Sequence, residues 1–270
     1  MKNFKTSDTP DPPRIWWCAT GPLTFLPIHA AGIYNTNNFG TKISDFVVSS
    51  YTPTLTALLE KPFTEKPSFR GLLGVSQPCT PGLSRLPNAQ KELDLIEQLG
   101  SSLHIHTLLG ELATMESVIE GMEQYSWVHL ACHAVQDTAE PTRSALCLQN
   151  GPLTLSKIIT KSFPHADLAF LSACQTAAGD EDLSEEAVHL AAGMLAAGYK
   201  SVIATLWSIM DEDAPLVAAE VYSYLVRDAE PDSTRAAHAL HHAVNRLRNQ
   251  LEESGKPSFL SWVPFIHVGI

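Results

Sequence analysis

Two stretches decide the reading of this chain: Trp127-Val-His-Leu-Ala-Cys-His133 and Leu168-Ala-Phe-Leu-Ser-Ala-Cys174. Each is a short, almost wholly apolar run, the pattern of a strand buried on both faces of a parallel sheet. Each ends on a residue with acid–base or nucleophilic chemistry. In an open α/β sheet, ligands bind beyond the carboxyl ends of the strands. A His and a Cys leaving consecutive core strands are the two halves of a thiolate–imidazole pair. The imidazole takes the thiol proton, and the thiolate attacks a carbonyl carbon. Their separation of 41 positions leaves room for one crossover connection, so the strands can lie side by side. A structural reading of the same residues stands beside this one, with His133 capping a loop and Cys174 packing as a small apolar residue.

Working outward, strand-like and helical segments alternate. Strands are expected at about 69–75, 103–108, 127–132, 168–173, 201–207 and 262–268, with helices at 87–99, 113–122, 153–160, 184–197, 213–227 and 234–250. Glu185 and Glu186 open the helix at 184–197 and suit the positive end of its dipole. This alternation predicts an α/β fold: a three-layer α/β/α sandwich around a mostly parallel six-stranded sheet. The segment 14–60 reads as a β-rich extension. Apolar runs at 14–18 and 23–29, joined by Ala-Thr-Gly-Pro, suggest a hairpin, followed by a run at 45–51 and a short helix to Leu59. Residues 1–13 are polar and proline-rich and read as a disordered N-terminus, with 14–270 as the domain and about 68–270 as its core.

Composition narrows the function classes. The chain has 270 residues, 44% of them hydrophobic, with 18 Lys+Arg against 29 Asp+Glu for a formal charge of −11. Such a surface repels phosphate, and no basic stripe is visible, so a nucleic-acid partner is not expected. No apolar run approaches the roughly 20 residues of a membrane span, and no membrane partner is expected. The N-terminus lacks the apolar core of a secretory signal, and five scattered cysteines fit a reducing compartment, so a cytoplasmic location is expected. Neither phosphate-binding glycine motif nor a G-x-S-x-G elbow occurs.

The flanks of the two reactive residues are more specific. His-Leu-Ala-Cys-His133-Ala-Val-Gln-Asp, Leu-Ser-Ala-Cys174-Gln-Thr-Ala, and the run from Glu186 through Leu206-Trp207 to Asp211 together resemble the CHAT domain, a family of the caspase, separase and gingipain group of cysteine peptidases. The resemblance spans 14–270. It implies peptide-bond hydrolysis without a cofactor, with His133 as general base and Cys174 as nucleophile. It also implies an oxyanion hole from the backbone N–H groups of residue 134 and Cys174. The family usually carries Gly after the catalytic His, where this chain has Ala134. Ala keeps the N–H but not easy access to positive φ. If the loop needs that conformation, the donor is misplaced and the rate falls, on the order of 10² to 10³.

The leading expectation is therefore a cysteine endopeptidase acting on a protein or peptide, with no metal. Its rivals are an inactive interaction module on the same fold and another thiol enzyme, such as an acyltransferase or deamidase. Members of the family commonly follow helical repeat arrays; none is visible here, so a helical-repeat regulator acting in trans is one expectation. The acids Asp180, Glu181, Asp182, Asp211 and Asp213 either stabilise helix dipoles or line a pocket for a basic side chain. The second reading makes Asp180, Asp182, Trp207 and Asp211 the substrate pocket, with hydrolysis after a basic residue. His129 and His133 resemble a metal pair, but on a strand they are about 13 Å apart, and His129 reads as a core histidine. His238, His241 and His242 read as one solvated helix face, and Cys18, Cys79, Cys132 and Cys147 as structural.

Overall fold

A computed structural model describes residues 12–36, 38–59, 68–135, 137, 139–172, 174–175, 186–228 and 230–270. In chain order, β1 (Arg14–Trp17), β2 (Val48–Tyr51) and the short α1 (Leu55–Leu59) precede β3 (Leu72–Ser76), α2 (Asn88–Glu97), β4 (Ile105–Leu109) and α3 (Met115–Gln124). Next come β5 (Trp127–Ala131), β6 (His133–Val135), β7 (Ala145–Leu148), β8 (Gly151–Thr154), α4 (Leu155–Ile159), β9 (Leu168–Leu171) and β10 (Cys174–Gln175). The chain closes with α5 (Glu186–Ala196), β11 (Ser201–Thr205), α6 (Ala214–Leu225), α7 (Ala236–Glu253), α8 (Phe259–Trp262) and β12 (Phe265–Gly269).

The main sheet has eight strands in the order β1-β2-β12-β11-β9-β5-β3-β4. Strands β4, β3, β5, β9 and β11 are mutually parallel. β12 then runs antiparallel to β11, and β2 and β1 continue parallel to β12. The sheet is wider than the expected six strands because 14–60 contributes two strands to its edge. The expected hairpin there does not form. Residues 21–30 make two 3₁₀ turns, Gly21–Phe25 and Ile28–Ala30, and β1 pairs instead with β2, more than thirty residues on. Pro22 and Pro27 lack the N–H donors a strand needs. Pro13 is anchored, its carbonyl accepting from the Val48 N–H; residues 1–11, expected to be disordered, lie outside the described residues.

Strand alternation divides the core into two layers. Leu73, Val75, Val128, Leu130, Ala169, Leu171, Val202 and Ala204 face α3, α4 and α5. Leu72, Trp127, Leu168, Phe170, Ile203 and Phe265 face α2, α6 and α7. This is why the strands read as continuous apolar runs: both faces are covered. β12 ends at Gly269, where φ is +109° and a Cβ would sit 2.3 Å from the Lys200 carbonyl, so only glycine fits.

Two strands continue past the main sheet. After β5 the chain steps through Cys132 into β6, and β9 is likewise followed by β10. These continuations pair with each other and, through β6, with the β7–β8 hairpin, giving a second sheet in the order β10-β6-β7-β8. The small sheet thus grows from the carboxyl edge of the large one.

Candidate active site

His133 is the first residue of β6 and Cys174 the first of β10, and the two are register partners in a parallel pair, with Ala134 opposite Gln175. The two strand exits singled out in the sequence therefore meet. On its other side His133 is opposite Cys147 of β7. The thiol of Cys147 is buried, and burial pushes its pKa up, which keeps it protonated.

The His133 ring is 1% exposed. Its Nε2 lies 2.7 Å from the carbonyl oxygen of Ser84. A carbonyl only accepts, so Nε2 carries the proton and donates. In the neutral ring the lone pair is then on Nδ1. Nδ1 is buried and has no hydrogen-bond partner. The Ser84 carbonyl thus sets the tautomer and leaves Nδ1 without a partner.

The Ser84 carbonyl is presented by the loop between β3 and α2. That loop is pinned where Gln77 N–H donates to Ala131 O at 2.9 Å and Leu86 N–H to Pro78 O at 3.0 Å, with Leu86 and Ala89 packed on Ala131. Beside it, Ser76 Oγ, Gln77 Oε1 and Thr80 Oγ1 are also buried without a partner. Unsatisfied buried polar atoms are rare in folded proteins, and these three, with His133 Nδ1, gather at the carboxyl ends of β3 and β5.

Ala134 is 1% exposed and flanked on both sides, by Leu146 of β7 and Gln175 of β10. Among described residues other than glycine, only His104 has positive φ. Ala134 therefore bears no left-handed strain, and its methyl group packs in the core. Ala134→Gly is expected to lower stability by about 0.5 to 1 kcal/mol through added unfolded-state freedom, plus the loss of a packed methyl. Urea titrations of the two proteins measure it; a gain in stability would show that the backbone at 134 prefers a glycine conformation.

The expected pocket residues divide. Asp180 and Asp182 lie outside the described residues. Asp211 is engaged: its Oδ2 accepts from the backbone N–H of Asn88 at 3.1 Å and from Asn88 Nδ2 at 2.7 Å. It thus satisfies a free donor at the start of α2, 123 residues away in sequence. Asp213 is buried, and burial raises its carboxyl pKa, with Glu212 adding to the rise and a hydrogen bond from Ser261 opposing it. Trp207 is half-buried beyond the end of β11, packed against both core layers, and its Nε1 has no partner. Cys132 and Cys147 are buried as expected, whereas Cys79 is exposed on the loop that carries Ser84. His129 is fully buried. No group of His, Cys, Asp and Glu that could hold a metal occurs among the described residues, and none of their helices is long and apolar enough to cross a membrane.

Two features had no reading in the sequence. The Ser84 carbonyl is a backbone group with no residue signature. Glu92, buried on α2, did leave a signal: it interrupts the apolar face formed by Ala89, Leu93 and Ile96.

The CHAT domain family model matches residues 4–270, nearly the whole chain. This chain belongs to the CHAT domain family. No curated protein sequence matches it. Among solved structures, the CHAT fold seen here is similar to that of the Arg-specific cysteine proteinase gingipain R, with a TM-score of 0.53 and 12% identity over 87% of this chain and 56% of that one. It is similar to the complex of the pro- and mature domains of the same proteinase from Porphyromonas gingivalis (TM-score 0.53, 12% identity, 87% and 57% covered). It is also similar to the Saccharomyces cerevisiae separase–securin complex (TM-score 0.53, 13% identity, 84% and 14% covered). The CHAT domain therefore shares the caspase-like fold of these cysteine peptidases, while spanning little more than half of the gingipain chains and a small part of separase.

Proposed function

We propose that this CHAT domain is a cysteine endopeptidase in which His133 is the general base and Cys174 the nucleophile. The observation that supports it best is the in-register pairing of Cys174 with His133, together with the free Nδ1 of a ring whose tautomer Ser84 sets. Register partners in adjacent strands lie about 4.8 Å apart and share a face. The backbones of 133 and 174 thus lie side by side, and the reading requires the Cys174 thiol to reach Nδ1. Proton transfer to Nδ1 leaves a thiolate to attack the scissile carbonyl, and the imidazolium later protonates the leaving amine. The backbone N–H groups of Ala134 and Cys174 would receive the developing oxyanion.

A screen of a peptide library by mass spectrometry tests the reading, with Cys174→Ala as control. Cleavage by the parent and none by the control is the expected result; intact peptides, or cleavage by both, would refute it. A second reading, an inactive interaction module, is favoured by one observation: Ala134 has a paired strand on either side, where an amide can be consumed by the ladder. An electrophilic peptide probe separates the two, because an inactive module would label Cys174 no faster than Cys132.

For specificity, we propose a preference for Lys or Arg before the scissile bond. The gingipain neighbour is described as Arg-specific, and the acidic run 180–182 follows the nucleophile closely. Asp211 contributes less than the sequence suggests, because Asn88 already occupies one of its oxygens. A charged hydrogen bond to a partly desolvated carboxylate is worth about 1.5 to 3 kcal/mol, roughly a ten- to hundredfold preference. The same library run at low and high salt checks it. An apolar or acidic preference that salt does not change would remove the basic pocket and leave the peptidase.

The partner chemistry is that of a polypeptide substrate, with a helical-repeat regulator in trans as part of the proposal. Cys18, Cys79, Cys132 and Cys147 form no disulfide, which suits a cytoplasmic location.

A further inference from the structure

One buried carboxylate touches both strands that carry the proposed dyad. Glu92, on α2, is 2% exposed. Its Oε2 accepts a hydrogen bond from Ser172 Oγ at 3.0 Å, and Ser172 is two residues before Cys174. Its Oε1 lies 2.9 Å from Nε2 of His129, and His129 is four residues before His133 on β5. That second contact is close but off the hydrogen-bonding direction, so neither atom has an aligned partner. On its other side, His129 Nδ1 lies 3.2 Å from Tyr222 Oη of α6.

α2 is itself fixed relative to the site. Its first residue is held by Asp211, and the loop entering it carries the Ser84 carbonyl that orients His133. One helix therefore bears on the base through Ser84, on the base's strand through His129, and on the nucleophile's strand through Ser172. For stability alone this is a poor arrangement. A buried carboxylate carries a desolvation penalty, and well-packed apolar residues commonly match or exceed what a buried pair contributes.

We propose that Glu92 is a positioning residue, setting the exits of β5 and β9 relative to each other so that His133 and Cys174 meet in reactive geometry; this rests on the dyad reading above. The exchange of protons between Cys174 and His133 is the step it serves, and Glu92 itself touches neither.

The test is the pH profile of Cys174 alkylation by iodoacetamide, read by peptide mapping in a Cys79→Ser background that removes the exposed thiol. Peptide hydrolysis and thermal melts are run on the same proteins. Glu92→Leu fills the space without the carboxylate. It is expected to slow alkylation at neutral pH by roughly ten- to a hundredfold and to move the thiol's apparent pKa towards the ordinary value of about 8.5. Glu92→Gln keeps an acceptor for Ser172 and is expected to stay within about threefold of the parent. Ser172→Ala, which removes only one link, is expected to fall between them at an unchanged melting temperature.

A Glu92→Leu profile that overlays the parent's would overturn the proposal while leaving peptide hydrolysis, and the peptidase reading, intact. So would losses in all three variants that simply track the folded fraction. A shifted thiol profile in a parent that cleaves no peptide would sustain the positioning role and refute the peptidase. An ordinary thiol profile in the parent would refute both.

Discussion

Cys174→Ala is expected to lower peptide hydrolysis by roughly 10⁴- to 10⁶-fold, the range seen when a covalent nucleophile is removed from a unit that acts together. His133→Ala should cost a similar factor, and the double variant little more than either single one, because base and nucleophile contribute to the same step. Cys147 supplies the contrast. It is the other register partner of His133, so proximity to the imidazole alone would nominate it equally. Its thiol is buried and its pKa is raised by that burial, which opposes formation of a thiolate. Cys147→Ala should therefore keep activity to within a few-fold, apart from a small loss of core packing. Steady-state hydrolysis of a library-derived peptide by the parent and the four variants measures all of this. Activity that survives Cys174→Ala and disappears with Cys147→Ala would reassign the nucleophile.

A second large effect concerns stability in mild acid. His267, on β12, is 1% exposed, with Nε2 2.6 Å from Ser201 Oγ and Nδ1 3.0 Å from Ser50 Oγ. An Arg14 guanidinium nitrogen lies 3.2 Å from Nδ1. Guanidinium only donates, so Nδ1 is the acceptor and the ring is neutral. A proton placed on Nδ1 would point at a cation. Burial, and then Arg14, hold the His267 pKa well below its ordinary value. His29 behaves alike: Nε2 donates to Val263 O and Nδ1 faces the Tyr51 hydroxyl, both at 2.8 Å, and burial pushes its pKa down to about 4, with the Val263 bond opposing.

Both groups are depressed in the folded state, so below about pH 6.5 the unfolded chain binds protons that the native one refuses. Their contribution is complete above pH 6.5 and is lost as pH falls, for His29 over the window from 6.5 to about 4. The limiting slope is about 1.4 kcal/mol per pH unit for each histidine. Urea titrations at pH 7.5, 6.0 and 5.0 should show this decline, and His29→Gln should reduce its slope by up to half. A stability that is flat between pH 6.5 and 5 would mean that these rings accept protons in the fold.

Local pattern carried most of the architecture. The apolar strands read directly because both sheet faces are covered, and the two reactive exits stood out because each apolar run stops at a residue of different chemistry. What failed was non-local. Leu23-Thr-Phe-Leu26 has the apolar content of a strand, but its flanking prolines and a partner strand beyond residue 47 turned it into 3₁₀ turns. The reversal of β12 against β11 has no local signature. The hold of Asp211 on Asn88 likewise has no local signature, since nothing near either residue in sequence announces the other. Ala134 read as a handicap because the family glycine suggests a positive φ, whereas residue 134 here does not occupy that region.

The step of β5 and β9 out of the large sheet and into the small one divides the chain by tolerance to changes in length. Positions 133 and 174 are register partners only because the steps from β5 to β6 and from β9 to β10 each have a set residue count. Adding or deleting one residue there turns every following side chain over to the opposite face, so those few positions behave like a reading frame. At the exposed turn 139–143, by contrast, the chain only joins β6 to β7, and a longer loop costs little, about 0.6 kcal/mol per doubling. Variation in this domain is therefore channelled: that turn can lengthen, shorten or acquire new surface, while the two short steps from the large sheet into the small one keep their count.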